Sequence, residues 1–141
     1  MTNNLFFQIK GGKRFTRLPW EERAGCYMHN WRWAQVNPQK PDLERYKLYS
    51  DVKPLTVDVE GGDLLFMPSG MLHHVESTSF SISFNIDWHS KGSVLRGLNA
   101  ALQGAPRQNN IYNLLMFLAL WCKVPEKQIW PYYKSYLSYI S

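Results

Sequence analysis

The segment of residues 79–88, SFSISFNIDW, alternates apolar and polar side chains without interruption. Five apolar side chains occupy one of its faces: Phe80, Ile82, Phe84, Ile86 and Trp88. Because successive strand residues point to opposite faces, this pattern predicts a strand with one apolar and one polar face. Shorter segments typical of strands precede it at residues 53–59, 64–67 and 71–77, with turn residues between them. Together they predict several short antiparallel strands arranged as a sandwich or barrel.

Two further alternating segments flank a pair of glycines near the N-terminus, in NNLFFQIKGGKRFTRL. The pair Gly11–Gly12 predicts a hairpin with a two-residue turn. One face of this hairpin is expected to be an ordinary core face: Leu5, Phe7, Ile9, Thr16 and Leu18. The other face mixes aromatic and polar side chains: Asn4, Phe6, Gln8, Lys13, Phe15 and Arg17. Either a pocket wall or a solvated outer surface would explain that mixture.

The remaining segments predict a loop-rich insertion and a helical tail. Residues 20–50 are interrupted by prolines and asparagines, with a short helical turn expected at residues 42–46. Beyond residue 91 the apolar spacing becomes helical, with Asn109 or Asn110 as a cap and a further helix at Pro125. Pro131 is expected to interrupt that helix or to begin the last one. The predicted organisation is therefore a β domain at residues 1–90 and a helical tail at residues 91–141.

Composition excludes several classes of protein. The 141 residues are 45% hydrophobic and 19% charged, which is typical of one globular domain and not of a disordered chain. No run approaches the roughly 18 apolar residues of a membrane span, and the N-terminus lacks a secretory pattern. We therefore expect a cytoplasmic protein whose Cys26 and Cys122 are reduced. The net charge of +5 is scattered, so a nucleic-acid partner is not expected.

Two adjacent histidines follow a turn in GGDLLFMPSGMLHHV, residues 61–75. Only one of His73 and His74 can point into a barrel, because neighbouring strand residues point to opposite faces. Histidine is a common metal ligand, and His73 stands just after a turn, where functional sites collect. A histidine with a purely structural role is the ordinary alternative. A second alternative pairs His74 with Glu76 on the opposite face, although no third ligand is identifiable near them.

Several segments in the same order resemble the cupin-like Jumonji-C (JmjC) dioxygenases, in particular the asparaginyl hydroxylases of that family. They are NLFFQIKGGKRF, PDLERY, GGDLLFMPSGMLHHVES and SISFNIDW. The resemblance covers residues 3–88 and extends more loosely to the family's C-terminal dimerising helices. It implies a mainly β fold, the double-stranded β-helix or jelly-roll-like cupin barrel, which would be incomplete at its N-terminus here. It also implies Fe(II) and 2-oxoglutarate as cofactors, a homodimer, and hydroxylation of a protein side chain or a small molecule.

The resemblance also assigns roles to individual residues. His73 matches an iron ligand of the family, and a facial triad of two histidines and one carboxylate leaves positions open for the keto acid and dioxygen. Lys13 matches the lysine that pairs with the distal carboxylate of 2-oxoglutarate. Asn4 and Asn85 match asparagines that bind near the cofactor, and Phe6 shares the predicted face of Asn4 and Lys13.

One departure from the family pattern affects the function. The family places an H-x-D motif just before the strand that begins here at Asn3, and this chain has no such motif. Two of the three iron ligands are therefore missing, and neither His29 nor His89 has the spacing to replace them. Two interpretations follow: part of an Fe(II)/2-oxoglutarate-dependent hydroxylase, or a non-catalytic cupin-like binding or assembly module that has lost its iron ligands.

Overall fold

A computed structural model describes residues 1–29 and 33–140, so Ser141 of the predicted tail lies outside the described residues. Within these residues the chain forms strands β1 (Asn3–Lys10), β2 (Lys13–Leu18), β3 (Met28–His29), β4 (Trp33–Ala34), β5 (Leu55–Val59), β6 (Leu64–Met67), β7 (Leu72–Ser77) and β8 (Ile82–Trp88). Two 3₁₀ helices, Trp20–Cys26 and Lys47–Asp51, lie between β2 and β5. Helices α1 (Lys91–Ala101), α2 (Arg107–Leu120) and α3 (Glu126–Ile140) follow.

Two three-stranded antiparallel sheets make up the β domain. Sheet A has the strand order β6-β1-β8, and sheet B has the order β5-β2-β7. Strands β3 and β4 form a separate small ribbon. The mainly antiparallel cupin-like fold predicted from the sequence is therefore confirmed, with the two N-terminal strands at the centres of the two sheets.

The predicted hairpin at Gly11–Gly12 is wrong, because β1 and β2 belong to different sheets. The glycines instead form a corner that carries the chain from sheet A to sheet B. Gly11 has φ +70°, and a Cβ there would collide with the main-chain oxygen of Phe80. The Gln8 side-chain amide donates to the carbonyls of Lys10 at 2.7 Å and Gly11 at 3.0 Å, which stabilises the corner.

The interior of the barrel is built around an edge-to-face contact between Phe6 and Phe15, whose ring centroids are 4.8 Å apart. Val59 of β5 and Leu65 and Met67 of β6 complete this buried cluster. Strands β5 and β6 therefore close one side of the barrel. Strands β7 and β8 lie on the other side, and in the described ranges each pairs along one edge only. The barrel is open along that side.

The face predicted to be core is, in sheet A, the outer face. Leu5 and Phe7 pair with Ile86 and Phe84, and their side chains point away from Phe6. Seven large apolar side chains are exposed on this surface, which we call the apolar outer face: Ile9, Leu64, Phe66, Ile82, Phe84, Ile86 and Trp88. Alternation predicted which residues share a face, but which face is covered depends on contacts distant in sequence.

The insertion covers one end of the outer face of sheet B. Leu18 of β2 is buried against Cys26, Val36 and Tyr49. Burial, with a smaller contribution from Glu22, raises the pKa of the Cys26 thiol. The predicted helical turn is confirmed, because the Tyr46 amide donates to the Asp42 carbonyl at 2.8 Å.

The helical tail is confirmed, but two of its predicted boundaries are wrong. Helix α2 begins at Arg107, directly after Pro106, and Asn110 instead donates its side-chain amide to the Ala105 carbonyl at 3.2 Å. Pro131 does not end a helix, because α3 continues through it. Pro131 is the sixth residue of α3, so its ring removes the hydrogen bond to the Lys127 carbonyl and crowds that oxygen. None of the described helices is long and apolar enough to cross a membrane.

Candidate functional site

His73 lies on the interior face of sheet B. In the register between β2 and β7, Phe15 pairs with Val75 and Arg17 pairs with His73. Phe15 is 1% exposed and central to the core, so alternation places Arg17 and His73 on the same inner face. His73 itself is exposed, because β7 borders the open side of the barrel. Its Nδ1 lies 3.2 Å from the Met71 carbonyl, so a proton on Nδ1 leaves Nε2 available as a ligand atom.

The alternative pair, His74 and Glu76, lies on the outer face of sheet B. His74 pairs with Thr16, and Glu76 pairs with Arg14. These positions alternate along their strands with the positions that face the core, so both side chains point outward. These two side chains therefore cannot join His73 in one site without a change of strand register.

The inner face of sheet A carries three of the predicted cofactor residues. Phe6 pairs with Asn85, and Asn4 pairs with Asp87. The Asn4 side-chain amide donates to Asp87 Oδ1 at 2.9 Å, while Asn4 Oδ1 is buried without a hydrogen-bond partner. Asn85 is exposed, since β8 borders the open side. Trp88 points to the opposite face, where it stacks on Phe66.

Lys13 also points into the barrel, at the end near the glycine corner. Its Nζ lies 5.6 Å from the centroid of the Phe6 ring, a distance typical of a cation–π contact. The ion pair found among the described side chains joins Arg14 to Asp58 and lies on the outer surface. Lys13 therefore has no carboxylate partner within the described parts of the chain.

All five predicted site residues, Asn4, Phe6, Lys13, His73 and Asn85, thus share the barrel interior. Lys13 lies toward the glycine corner and His73 at the opposite end. We call that opposite end the mouth and define it by Asn4, Arg17, His73 and Asp87. Asn4 and Arg17 lie at the same end of the barrel, because each is two residues from the Phe6–Phe15 contact in that direction.

Sequence reasoning gave no role to Arg17. Its position on the same alternating face as Lys13 was visible in the sequence, but an arginine on a strand is usually solvated. In the structure Arg17 Nε is buried and has no hydrogen-bond partner. This orphaned donor is what distinguishes Arg17 from a surface arginine.

The described residues do not complete an iron site. Residues 1–29 and 33–140 contain no group of three His, Cys, Asp or Glu side chains placed to hold a metal ion. Asp87, the nearest acid on the inner face of β8, is hydrogen-bonded to Asn4. His73 is therefore a single candidate ligand among the described residues.

A cavity of about 1020 Å³ lies outside the mouth, between the insertion and the tail helices. His73, Asp87 and His89 line it from the barrel, and Tyr49 and Tyr112 line it from the insertion and α2. The His89 ring is held between the Tyr112 hydroxyl and Ser93 Oγ. Burial lowers the pKa of His89 to about 4, so the ring is neutral at physiological pH and fastens α2 to the end of β8.

The fold agrees with the comparison with known protein families. The family described as "Cupin-like domain" matches residues 1–93, about two thirds of the chain. The chain belongs to the cupin-like domain family. This match confirms, at the level of the family, the resemblance predicted from the motifs. The JmjC-type members of the family generally use Fe(II) and 2-oxoglutarate.

Individual relatives of this cupin-like domain are more distant. Human tRNA wybutosine-synthesizing protein 5 is 31% identical over 86 residues, which make up 61% of this chain and 27% of that protein. The zebrafish HSPB1-associated protein 1 homolog is 34% identical over 52% of the chain and 18% of its own length. Human bifunctional peptidase and (3S)-lysyl hydroxylase JMJD7 is 35% identical over 40% of the chain and 18% of its length. The chain thus spans about a quarter or less of these relatives.

Proposed function

We propose that this chain is part of an Fe(II)/2-oxoglutarate-dependent JmjC hydroxylase that acts on a protein side chain or a small molecule. The observation that carries the proposal is Lys13, an ammonium group inside the barrel with no carboxylate partner among the described residues. An unpaired cation on a concave inner wall is suited to an anionic ligand. The distal carboxylate of 2-oxoglutarate is the ligand that family membership favours.

The neighbouring side chains would hold the rest of the keto acid. Phe6 forms an apolar floor under Lys13 Nζ. Asn85, beside Phe6 in the register, can donate or accept a hydrogen bond from the inner face of β8. Bound iron and 2-oxoglutarate would together supply the activation of dioxygen, while these residues would bind and orient the keto acid.

Iron requires more ligands than the described residues provide. His73 supplies one ligand atom, and stable non-haem iron is held by two histidines and one carboxylate. We therefore propose that an H-x-D segment preceding Asn3 in the complete protein supplies the other two. Iron held by this chain alone is not part of the proposal.

Binding of 2-oxoglutarate tests the role of Lys13. Lys13→Met should weaken 2-oxoglutarate affinity roughly ten- to hundredfold, because a charge-assisted hydrogen bond contributes about 1.5–3 kcal/mol. Lys10→Met is a matched control, since Lys10 is exposed on the other side of the same glycine corner. Calorimetric titration of both variants measures the difference. Equal affinities would identify Lys13 as a solvated lysine and reject the proposal.

Iron titration with a 2-oxoglutarate decarboxylation assay tests the metal site. The chain with residues 1–141 should bind Fe(II) weakly and turn over little 2-oxoglutarate. An extended protein carrying the upstream H-x-D segment should bind iron tightly, and His73→Ala should abolish that binding. His74→Ala is the control, because His74 lies on the outer face. Tight binding and rapid turnover by residues 1–141 alone would overturn the ligand assignment.

A non-catalytic cupin-like module is the second candidate function. It is favoured by the lack of a three-ligand metal group among the described residues. In that case the extended protein would also fail to bind iron, while the barrel would still fold.

We also propose that the tail forms a homodimer. Helices α2 and α3, together with the residue that follows α2, expose several large apolar or aromatic side chains, as expected of a surface that another copy covers: Ile111, Leu114, Trp121, Trp130 and Tyr132. Sedimentation of the protein at micromolar concentrations tests this directly, and a monomer with an ordered tail would reject it.

Nucleic acid is the less favoured substrate class. One group of relatives is named for tRNA wybutosine synthesis, and the chain has a net charge of +5. Among the described residues, however, those that line the cavity outside the mouth include histidines and Asp87 but no lysine or arginine. Salt-dependent binding of single-stranded oligonucleotides would reverse this preference.

A further inference from the structure

Arg17 is a second cation inside the barrel, and its geometry is unusual. Its Nε is buried without a hydrogen-bond partner, and its guanidinium forms no ion pair with any residue of the described ranges. Buried donors are normally paired, so an orphaned donor on a guanidinium requires an explanation. The register places Arg17 beside His73, with Cβ atoms about 5 Å apart as expected for directly opposed residues.

A buried acceptor without a partner lies at the same end of the barrel, on the other sheet. Asn4 Oδ1, on the opposite wall of the mouth, is also buried and also lacks a partner. The amide nitrogen of Asn4 is already bonded to Asp87, so the amide orientation leaves its oxygen directed elsewhere. One donor and one acceptor without partners therefore line the mouth at the level of His73.

We propose that Arg17 is a specificity residue that binds a carboxylate of the primary substrate. This inference rests on the proposed function, because it makes the mouth the place where the substrate approaches the metal ligand His73. A guanidinium binds a carboxylate through two parallel hydrogen bonds, one of which can come from Nε. The Asn4 oxygen can then accept a hydrogen bond from an amide or hydroxyl group of the same substrate.

The positions of the two cations separate the substrate from the cofactor. Lys13 lies near the glycine corner, and Arg17 lies four residues further along β2, at the mouth. At roughly 3.4 Å per residue, their Cα atoms are about 14 Å apart. The cavity of about 1020 Å³ is lined by His73 and Asp87, two of the four residues that define the mouth, so it adjoins the end of the barrel at which Arg17 lies.

A carboxylate fits this mouth better than a phosphate. Asp87 lies at the same level on sheet A, and a group with nearly two negative charges would be repelled by it. A carboxylate carries one charge and needs one guanidinium. Acidic side chains of peptides and small carboxylic acids are therefore the substrate class that the mouth selects.

Small probes of matched shape test this inference on the extended protein. N-acetyl-aspartate methylamide carries the carboxylate, and N-acetyl-asparagine methylamide replaces it with an amide of the same size. By ligand-observed NMR, the wild-type protein should bind the carboxylate probe at least tenfold more tightly than the amide probe. Arg17→Leu should abolish this preference, Arg17→Lys should restore part of it, and Lys13→Met should leave it unchanged.

The same variants separate this inference from the proposed function. Arg17→Leu should retain its affinity for 2-oxoglutarate and should melt no lower than wild type, because it removes an unpaired buried donor. Equal binding of the two probes, no binding of either at millimolar concentration, or tighter binding of phosphoserine would overturn the inference. In each of those cases a loss of 2-oxoglutarate binding in Lys13→Met would still support the proposed function.

Discussion

Acidification should destabilise this protein through His89, which connects the barrel to helix α2. Burial is the main reason that the pKa of His89 falls to about 4, and the N-terminal amino group lowers it further, while Asp87 opposes the shift. In the unfolded chain the ring has an ordinary pKa of about 6.5. Between these two values the unfolded chain binds a proton that the folded protein does not bind. The free energy of unfolding should therefore fall as the pH falls from 6.5 to about 4.

The size of the effect follows from the same two values. Each unit of pKa difference corresponds to about 1.4 kcal/mol, so the full interval sets an upper limit of about 3.4 kcal/mol. The ring is partly exposed, and solvent screening should reduce the loss to about 2 kcal/mol. Above pH 6.5 the contribution is complete, and below pH 4 no further loss is expected from His89.

Urea unfolding between pH 4 and 7.5 measures this loss. Carboxylates also titrate in this range, so the comparison is with His89→Gln, which retains them. The wild-type free energy of unfolding should fall by about 2 kcal/mol more than that of the variant. Parallel curves for the two proteins would show that the ring is not buried in solution, and the attachment of α2 to β8 would then be wrong.

The remaining predictions concern the glycine corner and the exposed apolar surfaces. Gly11→Ala should lower the free energy of unfolding by more than 1 kcal/mol, because its φ of +70° disfavours a side chain and the Phe80 oxygen occupies the space. Gly62→Ala is the control: Gly62 also has a positive φ, but no atom lies within 4 Å of an added Cβ, so the variant should lose only the free energy of backbone strain. If urea titration gave the same loss of unfolding free energy for both variants, the close approach of Phe80 to Gly11 would be contradicted. Leu114→Ser in α2 should shift sedimentation from dimer to monomer, whereas Phe84→Ser on the apolar outer face should leave the dimer intact. If Phe84→Ser instead gave a monomer and Leu114→Ser a dimer, the dimer interface would lie on sheet A.

Local patterns predicted the strands and helices of this fold better than they predicted which strands pair with each other. Alternation identified β5 to β8 and correctly separated His73 from His74. The Gly11–Gly12 pair was compatible with both a hairpin and a corner between sheets, since glycine permits either backbone path. The choice is made by contacts such as Phe6 with Phe15, which lie across the barrel and not along a ladder.

The candidate site was predictable where a motif or an alternating face marks a residue. His73, Lys13, Asn4, Phe6 and Asn85 share one interior, as the alternating pattern and the resemblance together predicted. Arg17 was missed because its distinguishing property is a buried nitrogen without a partner, which depends on the opposite sheet. The face with Leu5, Phe7 and Ile9 was assigned to the core for a similar reason: hydrophobicity predicts that a face is buried but does not identify the element that covers it.

The glycine corner also determines the order in which the chain can fold. Strands β1 and β2 occupy the centres of the two sheets, and all of their partner strands come from residues 55–88. The hydrogen bond from Asn4 to Asp87 joins residues 83 positions apart. On a ribosome that adds roughly 5–20 residues per second, β1 and β2 wait several seconds for these partner strands. Their aromatic side chains are exposed throughout that interval, so this topology makes the nascent chain a substrate for chaperones until β8 has emerged.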